Sequence, residues 1–124
     1  MQYDYIVIGS GSGGAAVAGR LSEDSTISVL LLEAGPRDTN PWIHIPLGYT
    51  KNYSNPNVNW MFESEPEPNL NNRTLYQPRG KVLGGTSSIN GAVYMRGTAA
   101  DYNDWRQRGC EGWDWDNVLP YFKK

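Results

Sequence analysis

The first residues that could do chemistry form a Gly-x-Gly-x-x-Gly pattern at Gly9, Gly11 and Gly14. At this spacing Gly9 permits a tight turn, Gly11 lets the backbone approach a diphosphate, and Gly14 lets a helix pack closely on a strand. The free N–H groups at the start of that helix would attract phosphate charge. Glu33 follows 19 residues after Gly14, where a carboxylate can accept both ribose hydroxyls of an adenosine. The pattern predicts dinucleotide binding and does not distinguish FAD from NAD.

A β-α-β unit must position these residues. The run 3–8 is rich in β-branched and aromatic residues, which is typical of a buried strand, and 27–32 reads as a second strand that ends before Glu33. Between them, residues 15–21 place small and aliphatic side chains at helical spacing. A glycine-rich turn alone is a weak signal, but a strand before it and a helix and strand after it favour a nucleotide site over a flexible loop.

Composition excludes several other classes. The 124 residues carry 11 basic and 13 acidic side chains, a net charge of −2 that disfavours nucleic-acid binding. One cysteine, Cys110, excludes an internal disulfide, and with one histidine, His44, the usual zinc ligand set cannot be built, so no metal site is predicted. His44 is predicted to be a structural hydrogen-bonding residue. No targeting or membrane-spanning segment is legible, so a cytoplasmic location is expected and membrane association is not indicated.

Residues 36–79 interrupt the β-α alternation. Residues 41–72 include five prolines and seven asparagines, and a polar stretch of this length is unusual unless it covers a site. We predict a lid with a hairpin over the cofactor, in which 60–65 pairs with 73–77 across a turn at 69–72. A solvated insertion that contacts no ligand is the alternative.

A second glycine motif occupies residues 79–91. Gly84 and Gly85 can bring backbone close to a ligand. The three residues that follow, Thr86, Ser87 and Ser88, are helix N-cap types, which predicts a second helix N-terminus facing the same diphosphate. Taken alone, this motif is equally compatible with a simple turn and cap.

The last stretch, 98–124, reads as helical. Thr98 and Asp101 have capping-box spacing, with Asp in place of Glu, for a helix through Arg108 that ends at Gly109. Asp114 is predicted to cap another helix. Pro120 would either kink that helix or lie in its early turns. Three tryptophans here are predicted to pack in a core: Trp105, Trp113 and Trp115.

At this point the sequence resembles the glucose-methanol-choline (GMC) flavoprotein oxidoreductases. The stretch Gly80-Lys81-x-Leu83-Gly84-Gly85-Thr86-Ser87-x-Ile89-Asn90, with Tyr94 four residues on, is similar to the first signature of that family. The Gly-x-Gly-x-x-Gly unit with Glu33 is similar to the family's FAD-binding N-terminus. The resemblance covers essentially all 124 residues and is strongest toward the bacterial choline and alcohol dehydrogenase branch.

The resemblance implies a set of FAD contacts. The implied residues are Gly9, Gly11, Ser12 and Gly14 at the diphosphate, Glu33 and Ala34 at the adenosine ribose side, Val82 at the adenine through its backbone, Gly85 and Thr86 at the phosphates, and Asn90, Gly91 and Val93 along the flavin ring. Some relatives attach FAD covalently through a histidine in this motif. Ile89 occupies that position here, so FAD is expected to be dissociable.

The resemblance also implies an α/β fold: the N-terminal part of a Rossmann-like FAD-binding domain with an incomplete sheet. Its parts would be the β-α-β unit (1–35), the lid and hairpin (36–79), the second FAD motif (80–97) and a helical segment (98–124). The implied activity is hydride transfer from the CH–OH group of choline or another small primary alcohol to FAD. The implied catalytic histidine lies beyond residue 124, so no turnover is expected from this segment alone. The sequence does not specify the alcohol or the electron acceptor.

Three alternatives stay open. An NAD-dependent Rossmann dehydrogenase explains Gly9 to Glu33 but leaves the second glycine motif without a purpose. A non-catalytic nucleotide-binding module would need these residues to fold as a complete unit. Within the family, some members are lyases that use FAD structurally.

Overall fold

The computed structural model describes residues 2–124, which divide into two compact units, 2–92 and 93–124. In the first unit, strand β1 (Tyr5–Ile8) pairs in parallel with β2 (Val29–Leu32), and helix α1 (Ser12–Leu21) connects them. The register matches Tyr5 to Val29 and Ile8 to Leu32. A parallel pair requires such a crossover because its strands run in the same direction. The predicted strand, helix and strand are therefore present, with shorter strands than predicted.

The burial expected for the first strand is not found. Ile6 is 59% exposed and Ile8 is 84% exposed. A parallel sheet is normally covered by helices on both faces. Within residues 2–124 this sheet has two strands, and α1 is the helix that packs on them, which leaves its apolar side chains uncovered.

Short helices and a hairpin fill residues 36–79. Helix α2 (Pro41–His44) begins at a proline, and the Asn40 side chain caps it by accepting from the Trp42 N–H at 3.0 Å. A 3₁₀ turn (Pro46–Gly48) then leads directly into α3 (Tyr49–Tyr53). Proline at the first position suits a helix start because its missing N–H is not needed there.

The predicted hairpin is present with less regular pairing. Strand β3 (Phe62–Glu63) pairs antiparallel with β4 (Tyr76–Gln77), and an isolated bridge joins Glu67 to Arg73 closer to the turn. A 3₁₀ turn (Pro68–Leu70) follows Glu67, and Asn71 and Asn72 adopt positive φ angles. Asparagine tolerates this left-handed conformation better than most residues do.

A small apolar core holds the hairpin region against the second glycine motif. Val58, Val82 and Ile89 are each at most 3% exposed and pack together, with Ile43 against them. Asn59 is also buried, and its side chain is fully bonded. Its amide donates to the Tyr53 carbonyl and Tyr76 hydroxyl, and its oxygen accepts from the Met61 and Arg79 N–H groups. Through one side chain, these four bonds hold residues 53, 61, 76 and 79 together.

The second unit consists of α4 (Ala99–Gln107) and α5 (Trp115–Phe122). The predicted capping box is present: the Thr98 N–H donates to the Asp101 carboxylate at 2.6 Å. The Asp114 side chain caps α5, and Pro120 lies inside that helix. None of the helices within residues 2–124 has the length and apolar composition needed to cross a bilayer.

The tryptophans of this unit cluster without becoming a closed core. The Trp105 ring centroid lies 5.2 Å from Tyr102 and 5.9 Å from Trp113. Trp105 is nevertheless 45% exposed and Trp113 52% exposed. The core prediction is therefore wrong for these two rings, because two short helices do not supply enough surface to enclose aromatic side chains of this size.

Candidate dinucleotide site

The ends of β1 and β2 and the second glycine motif line one cavity of about 710 Å³ in the first unit. Residues from three separate parts of the chain line it: Ile8, Gly9, Gly11 and Ser12 after β1; Leu32, Glu33 and Ala34 after β2; and Trp60, Arg79, Gly80, Gly85 and Thr86 from the later segments. The position is the one expected for ligands of parallel sheets, which bind beyond the carboxyl ends of the strands.

The first glycine turn leaves open space and unpaired donors. Gly9 has a φ of +90°, which a residue with a Cβ rarely adopts. A Cβ built on Gly11 would meet no atom within 4 Å, so protein packing does not require glycine there. The N–H groups of Ser12, Gly13 and Gly14 have no acceptor among residues 2–124. Space without side chains beside free helix N–H groups suits an anion.

Gly14 has the packing role predicted from the sequence. A Cβ at this position would lie 1.9 Å from the Gly9 carbonyl oxygen and 3.5 Å from a Val7 side-chain carbon. Glycine therefore lets the first turn of α1 lie directly against the end of β1. Gly14 does not line the cavity; it positions the residues that do.

The second glycine motif packs on the first. A Cβ on Gly85, whose φ is +56°, would lie 2.8 Å from the Gly11 Cα. A Cβ on Gly80 would lie 2.2 Å from the Gly85 carbonyl carbon. Three backbone segments without side chains thus meet along one wall of the cavity.

The expected second helix N-terminus is a shorter structure. Residues Gly85–Ser88 form a single 3₁₀ turn with Gly84 before it, and the three hydroxyl residues lie inside that turn rather than capping it. The Thr86 hydroxyl accepts from the Gly80 N–H at 3.1 Å, and the Ser87 hydroxyl donates to the Gly84 carbonyl at 2.5 Å. These side chains bond to local backbone, which is the behaviour that favours turns over helices.

Glu33 is held by donors from the chain. Its Oε2 accepts from the Ser10 N–H at 2.9 Å and the Ser10 hydroxyl at 2.7 Å, and its Oε1 accepts from the Gly35 N–H at 3.0 Å. Partial burial raises the pKa of the Glu33 carboxyl, but its hydrogen bonds, those from Ser10 foremost, outweigh that effect, so the pKa lies below its ordinary value. The site therefore carries a fixed negative charge at neutral pH.

These bonds narrow the role predicted for Glu33. A carboxylate offers about four acceptor positions, and the chain fills three of them. The structure leaves about one position for a ligand hydroxyl, rather than the two needed to accept both hydroxyls of a ribose.

Three polar or aromatic side chains at or beside this cavity were not among the FAD contacts predicted from the sequence. Ser10 is 2% exposed and bonds Glu33. Arg79 lines the cavity, and its guanidinium makes no hydrogen bond or ion pair within residues 2–124. Trp60 also lines it, with the Lys81 ammonium 4.5 Å from its ring centroid. The sequence signals were available: Ser10 lies inside the first glycine motif, and Arg79 is the first residue of the second.

The structure gathers some predicted contacts and not others. Seven line the cavity: Gly9, Gly11, Ser12, Glu33, Ala34, Gly85 and Thr86.

The other predicted contacts lie away from this cavity. Val82 is fully buried, and its carbonyl accepts from the Gly85 N–H at 2.7 Å. Asn90 lines a different, smaller cavity of about 70 Å³. Gly91 is exposed, and Val93 lies in the second unit, where it is 83% exposed. His44 bonds the Asp38 carbonyl at 2.6 Å through Nε2, as expected of a structural residue.

Comparison with known proteins places the whole chain in one sequence family. Residues 3–124 match the family described as GMC oxidoreductase. The chain is 55% identical over its full length to an oxygen-dependent choline dehydrogenase of Rhizobium etli and covers 23% of that protein. It is 52% identical over 122 residues to an alcohol dehydrogenase [acceptor] of Pseudomonas putida and covers 22% of it. The chain thus spans less than a quarter of these relatives.

Solved structures show the same backbone arrangement. Pyridoxine 4-oxidase from Mesorbium loti matches 98% of the chain with a TM-score of 0.90 and 34% identity, over 24% of its own length. An FAD-dependent oxidoreductase from Chaetomium thermophilum matches 98% of the chain with a TM-score of 0.81 and 38% identity, over 20% of its length.

Proposed function

Because the chain belongs to the GMC oxidoreductase family, we propose that it forms the cofactor-binding part of a longer, FAD-dependent enzyme that oxidises a small alcohol. The observation that carries the proposal is the packing of Gly85 on Gly11, which joins both glycine turns along one cavity. The β-α-β unit then corresponds to the first part of a Rossmann-like domain. An NAD enzyme would need the first turn and Glu33 but would leave the second turn without a role.

The residues at the cavity fit a dinucleotide. Gly9 and Gly11 provide open backbone, and the free N–H groups at the start of α1 face a region where a diphosphate would be stabilised by the helix dipole. The Arg79 side chain is a cation without a partner among the described residues, which also suits phosphate charge. Glu33 keeps about one acceptor position for a ribose hydroxyl and repels a phosphate at that point.

When bound, FAD would supply the redox chemistry, as acceptor of a hydride from the carbinol carbon of the substrate. The described residues contribute binding and orientation. Rigid backbone turns fix the diphosphate region, and Glu33 orients the ribose end. In this proposal the base that takes the hydroxyl proton lies outside residues 1–124, which on their own give no turnover.

We also propose that FAD is held without a covalent bond. Ile89 occupies the position at which the resemblance puts a histidine in covalently flavinylated relatives. Its side chain offers no nucleophile, and it is 1% exposed and packed against Val58 and Val82. Acid precipitation of the full-length protein should leave flavin in the supernatant, whereas flavin that stays with the pellet would contradict this proposal.

The substrate class follows from the relatives, which are named choline and alcohol dehydrogenases. The test is to purify the full-length enzyme and record its visible flavin absorbance. Choline or an uncharged primary alcohol is then added under anaerobic conditions. Loss of the oxidised flavin absorbance with either alcohol is the expected result. A full-length protein that retains no flavin after incubation with FAD, or that reduces NAD instead, would overturn the proposal.

A further inference from the structure

Ser10 occupies a central position between the two glycine motifs. It lies in the turn between β1 and α1, and it is nevertheless only 2% exposed. A buried hydroxyl is costly unless it is hydrogen-bonded, so its bonding shows what this side chain does.

The Ser10 side chain connects parts of the chain that are distant in sequence. Its hydroxyl donates to Glu33 Oε2 at 2.7 Å and accepts from the Gly84 N–H at 3.0 Å. Its own N–H donates to the same Glu33 oxygen at 2.9 Å. One residue of the first turn therefore bonds both the carboxylate after β2 and the backbone of the second turn, 74 residues away.

We infer that Ser10 is a positioning residue that locks the second glycine turn and the Glu33 carboxylate to the first turn, so that all three act on one bound dinucleotide. This inference rests on the proposed function. Ser10 does not line the cavity, so it acts through Glu33 and Gly84 rather than by touching the ligand.

The hydroxyl is required because it donates and accepts at once. Alanine would leave the Gly84 N–H without its acceptor and remove one of the donors that hold Glu33. Gly84 has a φ of +89°, so this N–H belongs to a turn whose backbone conformation favours glycine. Cysteine would keep most of the volume, but a thiol is a weak donor and a weak acceptor.

The experiment compares three variants of the full-length enzyme by titration of the apoprotein with FAD. Ser10→Ala and Ser10→Cys should each raise the FAD Kd by about tenfold to a hundredfold, as expected when one bond to a charged carboxylate and one bond from a backbone N–H are lost or weakened. Ser87→Ala is the matched control, because it deletes a hydroxyl bonded to the carbonyl of the same Gly84. Its Kd should stay within about twofold.

The pH dependence separates positioning from packing. Glu33 and Arg79 are the charged residues among those that line the cavity, and the Ser10 bonds lower the Glu33 pKa. Loss of these bonds in Ser10→Ala should raise the pKa of Glu33. As the pH is lowered, FAD affinity should therefore begin to fall at a higher pH in Ser10→Ala than in the wild type, while Ser87→Ala keeps the wild-type midpoint. In a Glu33→Gln background, Ser10→Ala should have a smaller effect than in the wild type, because the two residues share one interaction.

The outcomes are distinct. Wild-type affinity in Ser10→Cys would show that Ser10 only fills space and would overturn the inference. An unshifted pH midpoint together with additive effects of Ser10→Ala and Glu33→Gln would overturn it as well. If the wild-type enzyme binds no FAD, the proposed function fails instead, and that result is recognised before any variant is compared.

Discussion

Replacing Gly14 by alanine tests the contact that sets the geometry of the first turn. A Cβ at Gly14 would lie 1.9 Å from the Gly9 carbonyl oxygen, so α1 must retreat by about 1.5 Å to restore an ordinary van der Waals distance. The obstacle is backbone, which cannot rotate away as a side chain would. Overpacking of this kind costs about 1–3 kcal/mol, and the better helix propensity of alanine offsets at most about 1 kcal/mol of it.

Gly13→Ala is the matched control. Gly13 is the preceding residue of the same helix, and a Cβ there would meet no atom within 4 Å. This variant should be as stable as the wild type or up to about 1 kcal/mol more stable. Gly14→Ala should be about 2 kcal/mol less stable than the wild type, which is the upper end of the overpacking range less the gain in helix propensity.

The assay is urea unfolding of the full-length enzyme, followed by the fluorescence of released flavin, with the three proteins compared at equal concentration. The order of midpoints should be Gly13→Ala at or above the wild type and Gly14→Ala clearly below it. Equal midpoints for the two alanine variants would refute the reasoning, because they would show that the helix accommodates a Cβ beside Gly9 without cost.

Three further predictions follow from the site and the core. Glu33→Ala should weaken FAD binding by about 1–3 kcal/mol; an unchanged Kd in an FAD titration would contradict the role of Glu33. The folded-state pKa of Glu33 lies below the ordinary glutamate value of 4.5. The stability advantage of the wild type over Glu33→Gln should therefore be complete above pH 4.5 and should disappear as pH falls through the folded-state pKa. If both proteins lose stability equally during acid titration, this prediction is wrong. Asn59→Ala should cost at least about 2 kcal/mol by leaving buried partners unpaired, whereas Asn57→Ala, at an exposed position, should be nearly neutral in the same unfolding assay.

Local sequence signals predicted the elements that have a strong pattern of their own. The β-α-β unit combines β-branched strands, a glycine turn and a helix with small residues, and the structure contains it at Tyr5–Ile8, Ser12–Leu21 and Val29–Leu32. The hairpin and the capping box of α4 were likewise predicted from turn and cap residues. Each signal acts over a few neighbouring residues, which is why one sequence is enough to read it.

Features that depend on distant contacts were not predicted. The short helices Pro41–His44 and Tyr49–Tyr53 have one turn or little more, which is too short to show a hydrophobic period. The exposure of Ile8 and Trp113 depends on how much surface covers them, and no local pattern encodes that. Burial of Val82 in the small core, away from the cavity, depends on segments 24 residues apart that meet at Val58.

The two glycine motifs illustrate how a sequence pattern and a site differ. A pattern weights its fixed glycines and treats the positions between them as free, so it assigns Ser10 no role. In the folded chain, however, the fixed glycines remove side chains, and removal alone cannot hold two turns together. Something must bond across the gap, and Ser10 does so with one hydroxyl that reaches Glu33 and Gly84. In this fold the glycines make the space for a ligand, and the residue between them determines how the parts around that space are joined.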